Sequence, residues 1–353
     1  MRLEKRTHTS ALALLLAPLG AVLFTLLVVS LLVLWAGAPV GRTYGLLLQG
    51  GFGSVFALSE TLTRAIPLML TGLAATVAFK ARLFNIGAEG QLYVGAMAAV
   101  AVGGLHGDTG LALPLPVLFV LMMLAAALSG ALLLLGPALM KARLGVDEVV
   151  TTLLLNFIVL LLVSLMLDGP MKDPTAMGWP QSVALRGELE LSKLIPQTRV
   201  HTGLLWAGTL SVALWALMKF TVLGFDIRAV GANARAAAFA GVSVTRTVVL
   251  VAMLSGALAG LAGAIEVAGR TSYLTLDMSP GYGYTGIVIA MLAGLHPLGV
   301  VAASVLVAGV LVGADSMSRA VGVPTFIADV IVAASLLSVL VATLLTQYRV
   351  KLK

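Results

Sequence analysis

Three stretches of this chain contain no Lys, Arg, Asp or Glu: residues 7–41, 109–140 and 278–314. A bilayer crossing needs about 20 predominantly apolar residues, and each stretch is longer than that. Only 10% of the 353 residues are charged and 60% are hydrophobic. A soluble domain of this size covers itself with about a quarter charged residues. Most of the surface must therefore face lipid, and the expected architecture is all-α. It is a polytopic transmembrane helical bundle forming a single domain over 1–353.

The gaps between charges place spans near 12–35, 61–79, 86–104, 113–138, 149–167, 202–219, 247–266, 283–294, 298–314 and 325–345. Arg2, Lys5 and Arg6 followed by a long apolar run look like a signal peptide, and Ala36-Gly37-Ala38 looks like its cleavage site. The run is far longer than the roughly 7–15 residues of a signal core, so it reads as a retained first span. With residues 1–10 inside, 14 basic residues fall on the inner side of the spans and seven on the outer, with Arg64 near a span end. Four of those seven lie in one loop, 168–200. Basic residues gather on the cytoplasmic side of membrane proteins, so both termini are expected in the cytoplasm, after ten crossings or eight. The net charge of +7 has the same topological origin and is no sign of nucleic-acid binding.

The 37 uncharged residues of 278–314 would form a helix of about 55 Å. That is too long for one span and short for two with a loop. His296-Pro297 interrupts the stretch, and proline breaks a helix by removing a donor and clashing with the preceding turn. Two segments are expected, the first short. The break either lines a pathway or makes a tight surface turn. The segment 168–200 is polar and proline-marked, and reads as an extracytoplasmic loop that meets a partner or merely connects. Gly256, Gly260 and Gly263, with Ala252 and Ala259, are spaced to let helix backbones approach closely.

Catalytic signatures are missing. No Gly precedes any Lys, so the chain has no phosphate-binding loop of its own. His8, His106, His201 and His296 are scattered, and no metal site is expected. There are no cysteines, which excludes disulfides, thiolate metal sites and a cysteine nucleophile. The buried acids Glu60, Glu89, Glu266 and Asp329, with Asp315 near a boundary, are the groups an ion-coupled carrier would use.

Two polar segments stand out. In Phe84-Asn85-Ile86-Gly87-Ala88-Glu89-Gly90-Gln91, Asn85 can cap the following helix, and Glu89 suits the positive end of its dipole. The segment is a capped helix start or a gate. In 220–246, Asn233 is an N-cap, the alanines form a short helix, and Gly241 takes the C′ position. That helix lies outside the membrane, either free or docked on a partner.

These segments resemble the permease subunits of bacterial binding-protein-dependent ABC importers, in the branch of ribose, simple-sugar and nucleoside permeases. Gly231-x-Asn233-x-x-Ala236-Ala237-x-x-Ala240-Gly241 is similar to that branch's coupling loop. Phe84 to Gln91 is similar to its second signature. Asp147-Glu148-Val149-Val150-Thr151-Thr152-x-x-Leu155-Asn156 resembles a stretch of the longer nucleoside permease subunit. Pro180-Gln181-Ser182 and the pattern from Gly286 to Gly299 also fit. The likeness covers roughly residues 55–345.

The resemblance implies an import pathway for nucleosides, with a simple sugar as the alternative solute and an ion-coupled carrier as the rival class. It implies a non-catalytic chain in a bacterial inner membrane, surrounded by lipid and holding no cofactor. ATP and Mg would bind a separate cytoplasmic ABC ATPase. A second permease subunit, a sibling chain, and an extracytoplasmic substrate-binding protein would complete the assembly. Arg228, Gly231, Asn233, Arg235, Ala236, Ala237 and Gly241 would couple to the ATPase. Polarity and position suggest Asn85, Glu89, Gln91, Asn156, Tyr282, Tyr284 and Thr285 as pathway lining.

Overall fold

The computed structural model describes residues 39–104 and 113–322, with 2–5, 348–351 and scattered positions within 27–37 and 330–341. The expected first and last spans, 12–35 and 325–345, lie mostly outside the described residues, as do six residues of the 1–10 terminus.

The described residues are almost entirely helical. The helices are α1 Val40–Phe52, α2 Val55–Lys80, α3 Ala88–Gly103, α4 Leu115–Leu144, α5 Glu148–Asp168 and α6 Gly203–Phe220. They continue with α7 Val222–Ala232, α8 Ala234–Phe239, α9 Val244–Glu266, α10 Tyr282–Leu292 and α11 Pro297–Val321. A π-helical turn, Val267–Thr271, extends α9. The exception to an all-α chain is a short antiparallel pair, β1 Arg2–Lys5 with β2 Tyr348–Lys351, in which Arg2 stands opposite Lys351.

Among the described residues six helices are long and apolar enough to cross a membrane: α2, α4, α5, α6, α9 with its π-turn, and α11. The expected spans 86–104 and 283–294 are present as helices of 16 and 11 residues, about 24 and 17 Å long. Neither alone traverses a hydrocarbon core of about 30 Å. The physical reason lies at their ends. α3 begins only after the turn at 81–87 and stops at Gly104. α10 starts from left-handed Gly281 and stops at left-handed Gly294 and Leu295. The Leu295 N–H folds back on the Ala290 carbonyl, 2.8 Å away, and α11 restarts at Pro297. The break expected at His296-Pro297 is therefore real. Helix α1 was not anticipated, because Gly41, Gly45, Gly50 and Gly51 dilute its apolar pattern.

The chain separates into two compact units: Leu62–Ser304, and the chain ends Met1–Thr61 with Val305–Lys353. In the unit formed by the ends, Gly51 faces Gly309 so closely that a Cβ would overlap its carbonyl oxygen.

In the larger unit α9 packs against both α3 and α4. The three glycines flagged by their spacing make that contact. A Cβ on Gly256 would overlap the Gly130 carbonyl oxygen, one on Gly260 that of Ala126, and one on Gly263 that of Leu92. Small residues thus let three helices meet backbone to backbone, where dispersion contacts replace the hydrophobic drive that lipid does not supply.

Candidate functional site

The turn between α2 and α3 is held by one face of α5. Glu148, Thr152 and Asn156 recur every four residues and so share a helix face. Glu148 accepts the Phe84 N–H at 3.0 Å, Thr152 the Ile86 N–H at 3.2 Å, and Asn156 the Gly90 N–H at 2.8 Å. Lys141 at the end of α4 pairs with Glu148 and donates to the Arg82 carbonyl. Asn156 also donates to the Ile86 carbonyl at 2.9 Å and to the Tyr284 hydroxyl at 3.0 Å.

Deeper in, Asn85 and Gln91 exchange two amide hydrogen bonds of 2.9 Å, and Asn85 donates to Ser255 Oγ at 3.0 Å. Asn85 does not cap α3 as its sequence position suggests. The N-cap is Gly87, and Asn85 Oδ1 accepts the Gly87 N–H and the Gln91 side-chain amide rather than an N–H of the first turn. The cap is supplied instead by Asn156 from another helix. Glu89 receives the Gly283 N–H at 2.6 Å, near the start of α10, and Thr71 on α2 donates to the Tyr282 carbonyl at 2.9 Å.

The structure therefore brings Asn85, Glu89, Gln91, Asn156, Tyr282 and Tyr284 into one cluster. The first five are buried, with relative exposures of 3% or less. Their polar atoms are engaged with one another and with backbone, which holds the α3 and α10 starts in place. Tyr284 is 38% exposed, and Thr285 beside it is half-buried. Those two carry the cluster to the surface. Sequence reasoning did not give Thr152 and Ser255 a place in it. The four-residue spacing of Glu148, Thr152 and Asn156 was the available signal.

A second polar group surrounds Tyr282. Arg270, within the π-turn, pairs with Glu266 and donates to the Tyr282 hydroxyl at 3.0 Å. Glu89 and Glu266 are thus each tied to a local partner, and Asp329 lies outside the described residues.

Residues 168–200 form a strap closed onto the α9–α10 connection. The Ser182 N–H donates to the Leu274 carbonyl, Leu185 to Ser272 and Leu191 to Ala268. The Leu274 N–H returns a bond to Ser182 Oγ at 2.8 Å, and Ser272 bonds Glu190. Asp173 closes a local turn in the strap. The Thr175 hydroxyl and amide, with Gln181, hold its carboxyl below the usual range. His201 ends the strap, buried between Gly203 and Gly269.

The 220–246 segment holds two helices rather than one. Thr221 caps α7 by accepting the Gly224 N–H at 3.1 Å. Asn233 ends α7 and caps α8, accepting from Arg235 and Ala236 at 3.0 and 3.1 Å. Gly241 follows α8 at φ +87°, the C′ geometry expected of it. Gly231 lies against the Lys80 carbonyl at the end of α2, where a Cβ would overlap the oxygen, and Arg228 donates to the Met218 carbonyl. Of the expected coupling residues, Arg228, Gly231 and Ala237 bind the segment to the body. Asn233, Arg235, Ala236 and Gly241 are exposed.

Residues 57–340 match the family described as "Branched-chain amino acid transport system / permease component". The chain belongs to this permease family. It is 36% identical to the guanosine ABC transporter permease protein NupP of Bacillus subtilis, over 92% of each chain. It is 38% identical to the glucose ABC transporter permease protein TsgB13 of Haloferax volcanii, over 87% of this chain and 82% of that one. It is 31% identical to the nucleoside ABC transporter permease protein NupB of Lactococcus lactis, over 90% and 88%. No solved structure matches.

Family membership and the apolar helices make this permease a multi-pass membrane protein, and the ABC permease family implies an ATPase and a binding protein in its system. In that setting the α2–α3 turn is a junction. The permease joins its α7–α8 segment to it through Lys80, its α5 face through Glu148, Thr152 and Asn156, and its short α10 through Glu89.

Proposed function

We propose that this permease forms the translocation pathway for nucleosides in an ATP-driven importer. The observation that carries the reading is its similarity, over about nine-tenths of each chain, to relatives named for guanosine and nucleoside transport. A sugar is the second reading, favoured by the relative named for glucose at 38% identity. Both solutes are neutral and polar, so they need hydrogen-bonding and aromatic groups rather than a charged site. Tyr284 and Thr285 are placed to offer these at the surface, while Asn85, Glu89, Gln91, Asn156 and Tyr282 hold the backbone behind them.

The chain is one permease domain in a bacterial inner membrane, with about ten crossings and both ends in the cytoplasm. Eight crossings give the same sidedness. The 14-to-7 basic bias supports this, as does the pairing of β1 with β2, which puts the two termini side by side. The 168–200 strap then lies outside, facing a binding protein. The 220–246 segment lies inside, docked on an ATPase subunit that binds ATP and Mg. A sibling permease completes the pathway. An ion-coupled carrier would have to work through Glu266, which is paired with Arg270, and Glu89, whose carboxylate holds the α10 backbone.

The deciding experiment is uptake of radiolabelled guanosine, adenosine, uridine, ribose and glucose by cells with and without this gene, before and after ATP depletion. ATP-dependent nucleoside uptake lost on deletion is the expected result. Loss of sugar uptake alone gives the second reading. Uptake that survives ATP depletion but collapses with the ion gradient overturns the importer.

A further inference from the structure

Helix α6 packs one face on the body and leaves the opposite face open. Its buried residues, from Gly203 to Met218, recur every three or four positions. Turned away from them lies an apolar groove of about 550 Å³, lined by Leu204, Leu205, Gly208, Thr209, Val212 and Ala213. Gly208 keeps it open, since a Cβ there would meet nothing within 4 Å. The groove face continues to Lys219, because 208, 212, 215 and 219 follow the three- and four-residue spacing of a single helix face. Lys219 is exposed in the last turn of α6. Its ammonium lies 5.0 Å from the Trp215 ring and 5.2 Å from the Phe220 ring. Among the described residues no carboxylate pairs with it.

Helix α6 is apolar and long enough to cross the membrane, so this face meets either lipid or another transmembrane segment. The 15-residue rise from Leu204 to Lys219 is about 22 Å, close to the roughly 20–22 Å of one leaflet with its headgroups. A phospholipid whose phosphate sits at Lys219 therefore lays a chain along the whole groove. The chain covers Leu204, Leu205 and Val212, and the phosphate supplies the anion that the ammonium lacks. A lysine beside an aromatic ring at a span end is also how helices meet the headgroup level. A protein helix packed here would have to bring both an apolar stripe and a carboxylate at that one height. We propose that α6 carries a phospholipid site, selective for an anionic headgroup, with the phosphate on Lys219 and an acyl chain running past Gly208. The site is independent of which solute the permease carries.

The test uses the full-length permease in phosphatidylcholine nanodiscs. Because the chain has no cysteine, Ala213→Cys at the groove rim carries a single bimane fluorophore. Lipids with brominated chains, which quench bimane on contact, are titrated in. Quenching by brominated phosphatidylglycerol reaches its midpoint at about one-fifth of the mole fraction that brominated phosphatidylcholine requires, the factor one lysine at an anionic surface supplies. This preference shrinks as salt rises. Lys219→Gln leaves the groove intact and abolishes the preference, so that the two lipids quench alike. Gly208→Leu fills the groove without a clash and also abolishes it. Equal midpoints in the wild type overturn the site in favour of ordinary boundary lipid. A preference that survives either substitution overturns it as well. No quenching by either lipid shows the groove covered by protein, a second copy or a sibling chain, and overturns the lipid site outright.

Discussion

The amide oxygen of Asn156 accepts the N–H of Gly90 at 2.8 Å, so the first turn of α3 is capped by a residue of α5. The same side chain holds the Ile86 carbonyl and the Tyr284 hydroxyl. Three elements depend on one carboxamide.

Asn156→Leu strips a donor or acceptor from each of those groups, and each buried unpaired group costs about 1–3 kcal/mol. The midpoint of thermal aggregation in detergent, followed by size-exclusion chromatography, should fall by roughly 5 °C or more. Asn156→Asp keeps the Gly90 bond and should fall between the two.

Gly231→Leu forces α7 off the Lys80 carbonyl, and Asn233→Pro removes both the α8 cap and the N–H that closes α7 on Ala229. Either variant should reach the membrane in normal amount yet retain little ATPase in a pull-down. Normal retention would remove the coupling role from this segment.

Gly263→Val puts two methyl groups into the Leu92 backbone, where even a Cβ does not fit. Overpacking against backbone costs more than the roughly 1–3 kcal/mol usual for core side chains. Monodisperse protein should disappear on solubilisation, whereas Gly136→Ala, in open space, should behave as wild type.

Burial pushes the His201 imidazole down to about 4 from its ordinary 6.5. The folded state favours the neutral ring, so the unfolded chain binds the extra proton between those values. The contribution of His201 to stability is complete above pH 6.5 and is lost as pH falls towards 4, by about 3 kcal/mol in total. The melting temperature of the wild type should drop over that window more steeply than that of His201→Gln.

Much of this arrangement was readable from local chemistry. The break at His296-Pro297, the Asn233 cap, left-handed Gly241 and the glycine face of α9 each follow from a residue's own geometry. What was not readable depends on partners distant in the chain. Asn85 looks like a cap because it precedes a helix, but Asn156, 66 residues past Gly90, takes that role and frees Asn85 to pair with Gln91. α7 was missed because its N-cap, Thr221 accepting the Gly224 N–H, lies inside a charged segment read as loop. The charge gaps put α3 and α10 within two residues of their observed bounds, but counted both as crossings, because the stops at Gly104 and at left-handed Gly294 and Leu295 carry no charge.

The strap has a consequence for biogenesis. Ser182 and Leu274 are 92 residues apart, and a ribosome adds about 5–20 residues per second. For roughly 5–20 s the strap exists without the strand of backbone it will bind, while α6 to α9 are still being made and inserted. Closure of the strap therefore marks a late checkpoint of membrane insertion, passed only when α9 is threaded. A ribosome stalled before residue 268 should leave residues 182–191 open to protease added from the strap's side of the membrane.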